Sequence, residues 1–208
     1  MKSLSMVNNP YGDDKVISAC SIFGMMDTSG EAISGEPAFK AVANMHDRGN
    51  GLGGGFAVYG LYPEYADFYA LHVMFASQQG RHYTEQFLDT YFRVEHSQEI
   101  PTRKTPGITD EPMVYRYFVQ PRLDGLMGMS EDDYVVEKVL VINSEVEDSF
   151  VFSSGKNMGV FKGVGFPEQI AEYFRLEDYK GHIWTVHGRF PTNSQAWWGG
   201  AHPFSMLD

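Results

Sequence analysis

Apolar residues recur along this chain with two alternating periods. The run from Val16 to Gly24 reads as a short buried strand closed by glycine, which puts Cys20 inside it or at its head. From Glu36 the spacing of Phe39, Val42, Ala43 and His46 marks one face of a helix, with Pro37 where a first turn tolerates it and Arg48-Gly49 at its end. Strand patterns follow at Phe56 to Tyr59 and Phe68 to Phe75, then a helical face made of Phe87, Leu88, Tyr91 and Phe92.

Beyond that helix the pattern changes. The segment from about His96 to Pro112 is rich in Pro, Thr and charge, and it leads into an extended stretch from Met113 to Val119 and a helix from Glu131 to Ile142. The span of about 96–150 therefore reads as an inserted α+β segment. Ser149 to Ser153 and Met158 to Val164 form a strand pair, Pro167 opens a helix through Phe174, and His182 to His187 returns as a strand. Strands and helices mixed in this order, without repeated βαβ units, indicate α+β.

Composition narrows the function. The net charge of −11 opposes phosphate backbones and anionic lipid, so neither nucleic acid nor a membrane is an expected partner. No apolar stretch reaches bilayer length, and Asp13 and Asp14 interrupt the region where a signal peptide needs its hydrophobic segment, so the expected location is cytoplasmic. Cys20 is the only cysteine, which excludes an internal disulfide and a thiolate zinc site. Seven histidines are scattered without the spacing of a metal-ligand set.

One motif misleads. Gly49-Asn50-Gly51-Leu52-Gly53-Gly54 matches the GxGxxG fingerprint of dinucleotide sites, but that fingerprint needs a strand before it and a helix after it. Here a helix precedes and a strand follows, so the stretch is a glycine-rich turn that can border a pocket. The more informative run is Thr185-Val186-His187-Gly188-Arg189-Phe190-Pro191-Thr192-Asn193-Ser194, where an apolar strand delivers an arginine into a polar turn. A guanidinium matches a carboxylate bidentately, so Arg189 is a candidate substrate anchor; a structural ion pair is the equal alternative on spacing alone.

Taken together, Cys20-Ser21-Ile22-Phe23-Gly24, Arg48-Gly49, His187 to Asn193 and Ala201-His202-Pro203-Phe204 resemble the class II glutamine amidotransferases, a group of N-terminal-nucleophile (Ntn) hydrolases. The glycine-rich run from Met45 to Gly55 and the Pro-Thr-Asn-Ser after Arg189 look most like the amidotransferase subunits of glutamate synthases. That resemblance implies an αββα sandwich of two antiparallel sheets between helices, a leader of residues 1–19 that is removed, and a domain over 20–208. It implies Cys20 as nucleophile, Arg189 on the glutamine carboxylate, Thr192 and Asn193 lining the same pocket, and His187 and His202 in structural support. Flavin and iron–sulfur centres are implied only in a synthase partner that receives the ammonia, with no cofactor in this chain. The family pattern continues past Ala-His-Pro to an Asn-Gly pair for the oxyanion and an acid for the substrate amine. This sequence ends at Asp208 and has its only Asn-Gly at Asn50-Gly51, so the C-terminal part of the family domain is expected to be missing or supplied by a separate polypeptide. A non-catalytic glutamine-binding subunit, or another Ntn-type amide hydrolase, fits the same residues.

Overall fold

The computed structural model describes residues 19–190 and 195–207. In chain order the elements are β1 (Ser21–Met26), β2 (Ile33–Ser34), α1 (Glu36–Ala43), β3 (Gly54–Tyr59), β4 (Tyr69–Phe75), α2 (Gln78–Tyr91) and β5 (Phe92–Glu99). They continue with β6 (Met113–Pro121), α3 (Glu131–Glu145), β7 (Ser149–Ser153), β8 (Met158–Gly163), α4 (Pro167–Tyr173), β9 (Lys180–Gly181) and β10 (Ile183–Gly188).

Two antiparallel four-stranded sheets form, in the orders β1-β10-β3-β8 and β5-β6-β4-β7, with β2 and β9 as a small separate pair. Helices α1 and α4 cover the first sheet and α2 and α3 the second, while β8 meets β4 and β7 where the sheets face each other. This is the four-layer αββα arrangement of the Ntn hydrolases. Strand β4 shows how the layers are specified: every residue is buried, so its apolar run serves two cores at once. Tyr69, Leu71, Val73 and Phe75 pack with Leu88 of α2 and Val135, Val139 and Ile142 of α3. Ala70 and Met74 point the other way, toward the core that includes Phe56, Val58, Val160 and Trp184.

The helices start where the sequence supplies acceptors. Ser77 Oγ accepts from the Gly80 N–H at 3.1 Å to open α2, and Ser130 Oγ accepts from the Asp133 N–H at 3.1 Å to open α3, whose first turn also carries three acids. Pro167 stands in the first turn of α4, where the Gln169 side chain accepts from the Phe166 N–H at 2.9 Å. Helix α1 ends at Ala43, and His46 falls in a separate 3₁₀ turn, His46–Arg48, because its ring stacks on Phe166 at 3.8 Å between centroids and bonds Glu168. Phe92 leaves the helical face expected for it and begins β5. The segment set apart at about 96–150 is woven into the second sheet: β6 lies between β5 and β4, and α3 packs beneath β7. Of the strand expected from Val16, residues 16–18 lie outside the described residues, as does most of the expected leader.

Candidate functional site

Sequence separation conceals the site. Strand β10 runs between β1 and β3, with Gly188 opposite both Ser21 and Gly54. One residue beyond that row, the three strands leave the sheet together, and the next residues are Cys20, Arg189 and Gly53. The Phe190 N–H donates to Cys20 Sγ at 3.4 Å, and the Arg189 N–H donates to the Gly53 carbonyl at 2.8 Å. The Ala19 N–H donates to the Arg48 carbonyl at 3.3 Å, so the residue before Cys20 is tied to the turn that ends the first helical region. Cys20 is exposed and open to a ligand.

The glycine-rich run is the turn expected of it, lying between the His46–Arg48 turn and β3. Gly51 adopts φ +72°, and a Cβ there would stand 2.9 Å from the Phe166 ring, so both backbone and space require glycine. At Gly53 a Cβ would stand 3.3 Å from Arg189 Cβ and 3.4 Å from its Cδ, which shows how closely this turn lies along the arginine stem. Asn50 is turned onto its own turn, its Oδ1 accepting from the Leu52 N–H at 3.2 Å. Ser21, buried beside Cys20, occupies the space that a side chain at Gly188 would need.

Behind Arg189 lies a basic cluster inside an acidic protein. His187 Nδ1 and His202 Nδ1 are 2.8 Å apart, so one imidazole donates to the other. Burial, with the neighbouring His202 and Arg189 charges, pulls the His187 pKa down to about 4 and keeps that ring neutral; burial and the Arg189 and Lys162 charges lower His202 as well. Lys162 on β8 is 1% exposed and donates from Nζ to the Pro203 carbonyl at 3.3 Å. Burial and the Arg189 charge lower its pKa to about 7. The sequence reading missed Lys162; its signal is a lysine within the otherwise apolar and glycine run Met158 to Gly163.

The structure thus brings together Cys20, Arg189, the Arg48-Gly49 pair and the His187 and His202 rings, from opposite ends of the chain. Thr192 and Asn193, the other two expected pocket residues, lie outside the described residues. Among the described residues no group of three or more His, Cys, Asp or Glu is placed to hold a metal ion, and no helix is long and apolar enough to cross a membrane.

Comparison with known proteins decides the family. The model of the glutamine amidotransferases class-II matches residues 81–208, more than half of the chain. The chain belongs to the class II glutamine amidotransferases. The matched span holds Arg189 and both histidines, while Cys20 and the glycine turn precede it. The chain is also 55% identical over 199 residues to an uncharacterized protein of Archaeoglobus fulgidus, an alignment covering 94% of this amidotransferase-family chain and 53% of that protein. The chain therefore spans about half the length of that relative.

Proposed function

We propose that this class II amidotransferase chain carries the site that hydrolyses L-glutamine to glutamate and ammonia, with Cys20 as nucleophile. The observation that carries the reading is the hydrogen bond from the Phe190 N–H to Cys20 Sγ at 3.4 Å, which sets an exposed thiol beside Arg189.

The chemistry follows from those two groups. Arg189 holds the substrate α-carboxylate through its planar fork. The thiol then attacks the side-chain amide carbon, forming a C–S bond. The tetrahedral adduct collapses with loss of ammonia to a glutamyl thioester, and water cleaves that thioester to glutamate. The base is the α-amine of Cys20 once the bond to Ala19 is cut; while Ala19 is attached, that nitrogen is an amide without a basic lone pair. A free α-amine titrates at about 7.7 to 8.0, suited to taking the thiol proton and returning it to departing ammonia. Thr192 and Asn193 complete the substrate pocket, and the ammonia passes to a glutamate synthase partner in whose subunits any flavin and iron–sulfur centres reside.

Calorimetry with L-glutamine in a Cys20→Ala background tests the anchor without turnover. The expected result is binding by Cys20→Ala and at least about tenfold weaker binding when Arg189→Ala is added, since a charge-assisted hydrogen-bond pair is lost. Equal affinity in both proteins would exclude Arg189 from the carboxylate.

A further inference from the structure

A second cavity, of about 430 Å³, opens on β5 and β6 beside the loop that follows β3. Its residues take no part in the Cys20 site. The floor is Arg116, whose Nη1 donates to the Tyr62 and Tyr179 hydroxyls, each at 3.3 Å. With its amide oxygen turned inward, Gln98 accepts from the rest of the same guanidinium. The guanidinium also lies over the Tyr62 ring at 5.1 Å. All of these partners are neutral.

Among the described residues, no carboxylate forms an ion pair with Arg116. Glu64 lines the cavity but is exposed and unpaired with it. Arg116 is half-buried, and a charge partly withdrawn from water favours an opposite charge, because neutral hydrogen bonds satisfy its donors and leave its field uncompensated. The walls give the missing partner a shape. Buried Phe118 stacks on Tyr65 at 4.0 Å between centroids, and His96 lies nearly parallel to Tyr65 at 5.7 Å, so the cavity presents the Tyr65 and His96 rings beside a cationic fork. Its volume falls in the range of small-molecule sites.

We propose that this cavity binds a small planar carboxylate, with the anion taking the place of the Gln98 amide oxygen on Arg116 and the flat part of the ligand along Tyr65 and His96. The guanidinium edge that Gln98 fills with a single oxygen matches the two oxygens of a carboxylate, while a tetrahedral anion would gain nothing from the ring walls.

Calorimetry with benzoate, acetate, benzyl alcohol and inorganic phosphate tests the site. Benzoate is expected to bind more tightly than acetate, with no measurable binding of benzyl alcohol or phosphate. Arg116→Gln is expected to weaken benzoate at least about tenfold, and His96→Ala to weaken benzoate while leaving acetate unchanged. Absence of benzoate binding, benzyl alcohol binding as well as benzoate, phosphate binding in place of either carboxylate, or equal benzoate affinity in Arg116→Gln would each overturn the proposal. Circular dichroism accompanies every variant. If Arg116→Gln loses the fold, His96→Ala decides, because that exposed ring can be removed without disturbing the core; unchanged benzoate affinity there also overturns it.

Discussion

Replacing Gly55 by alanine tests the packing that joins β3 to the segment carrying His202. A Cβ at Gly55 would stand 2.4 Å from the His202 carbonyl oxygen, 2.6 Å from Lys162 Cβ and 2.8 Å from the Phe161 carbonyl oxygen. Two of these are backbone atoms, so no rotamer change relieves them. Favourable non-bonded contact needs roughly 3.5 Å, and the His202 segment must therefore retreat by about 1 Å. Overpacking of this kind costs about 1–3 kcal/mol, and the backbone contacts place Gly55→Ala near the upper figure. For a chain of this size that is a fall in melting temperature of roughly 6–12 °C. The control is Gly24→Ala on β1, where the nearest atoms to a new Cβ are the Trp184 carbonyl at 3.8 Å and Thr185 Cγ2 at 3.9 Å, both ordinary contacts. Differential scanning calorimetry should show Gly24→Ala within about a degree or two of the parent, as for surface-like substitutions. A Gly55→Ala protein melting with the parent, or a Gly24→Ala protein destabilised as much, would refute this account of the β3 to His202 packing.

Other expected outcomes follow from the buried basic groups. His72 is fully buried, with Nδ1 donating to the Val160 carbonyl and Nε2 accepting from the Tyr62 hydroxyl, each at 2.8 Å; burial lowers its pKa to about 3. The unfolded chain then binds a proton that the folded chain refuses. Stability is fully present above about pH 6.5 and is lost as the pH falls toward 3, by up to about 1.4 kcal/mol per pH unit from this residue. Urea unfolding at pH 7 and pH 5 checks this, and a stability independent of pH in that window would contradict it. Lys162→Met removes a buried amine that titrates at about 7. Because a buried charge contributes little once its desolvation is counted, the variant should lose no more than about 1 kcal/mol at pH 7, and the parent should gain on it as the pH rises from about 7 toward 10, where the unfolded amine still holds its proton and the folded one does not, as measured by chemical denaturation.

Much of the fold was legible because burial writes a period into the sequence. The apolar run of β4 and the Pro167 start of α4 carry local signals, whereas Gly24, expected to close the first strand, lies inside β1, which pairs with β10 as far as Met26. Strand β5 did not, since Arg93, Glu95, His96, Ser97 and Glu99 are exposed on an edge strand and look like loop. His46 kept the helical spacing but was drawn out of α1 by Phe166 and Glu168, partners far away in sequence. The site divides the same way. Cys20 and Arg189 could each be named from local context, but only the antiparallel register of β1 and β10 makes them neighbours, and no periodicity encodes which strands pair. The signal at Lys162, one lysine within an apolar and glycine run, does not say what the amine meets, since the Pro203 carbonyl lies far away in sequence.

The most direct test of the central claim is ammonia release from L-glutamine by the protein beginning at Cys20, compared with its Cys20→Ala variant. The account predicts steady release by the parent and none above background by the variant, both proteins being folded by circular dichroism. Equal release from the two would show that Cys20 is not the nucleophile, whatever its place beside Arg189.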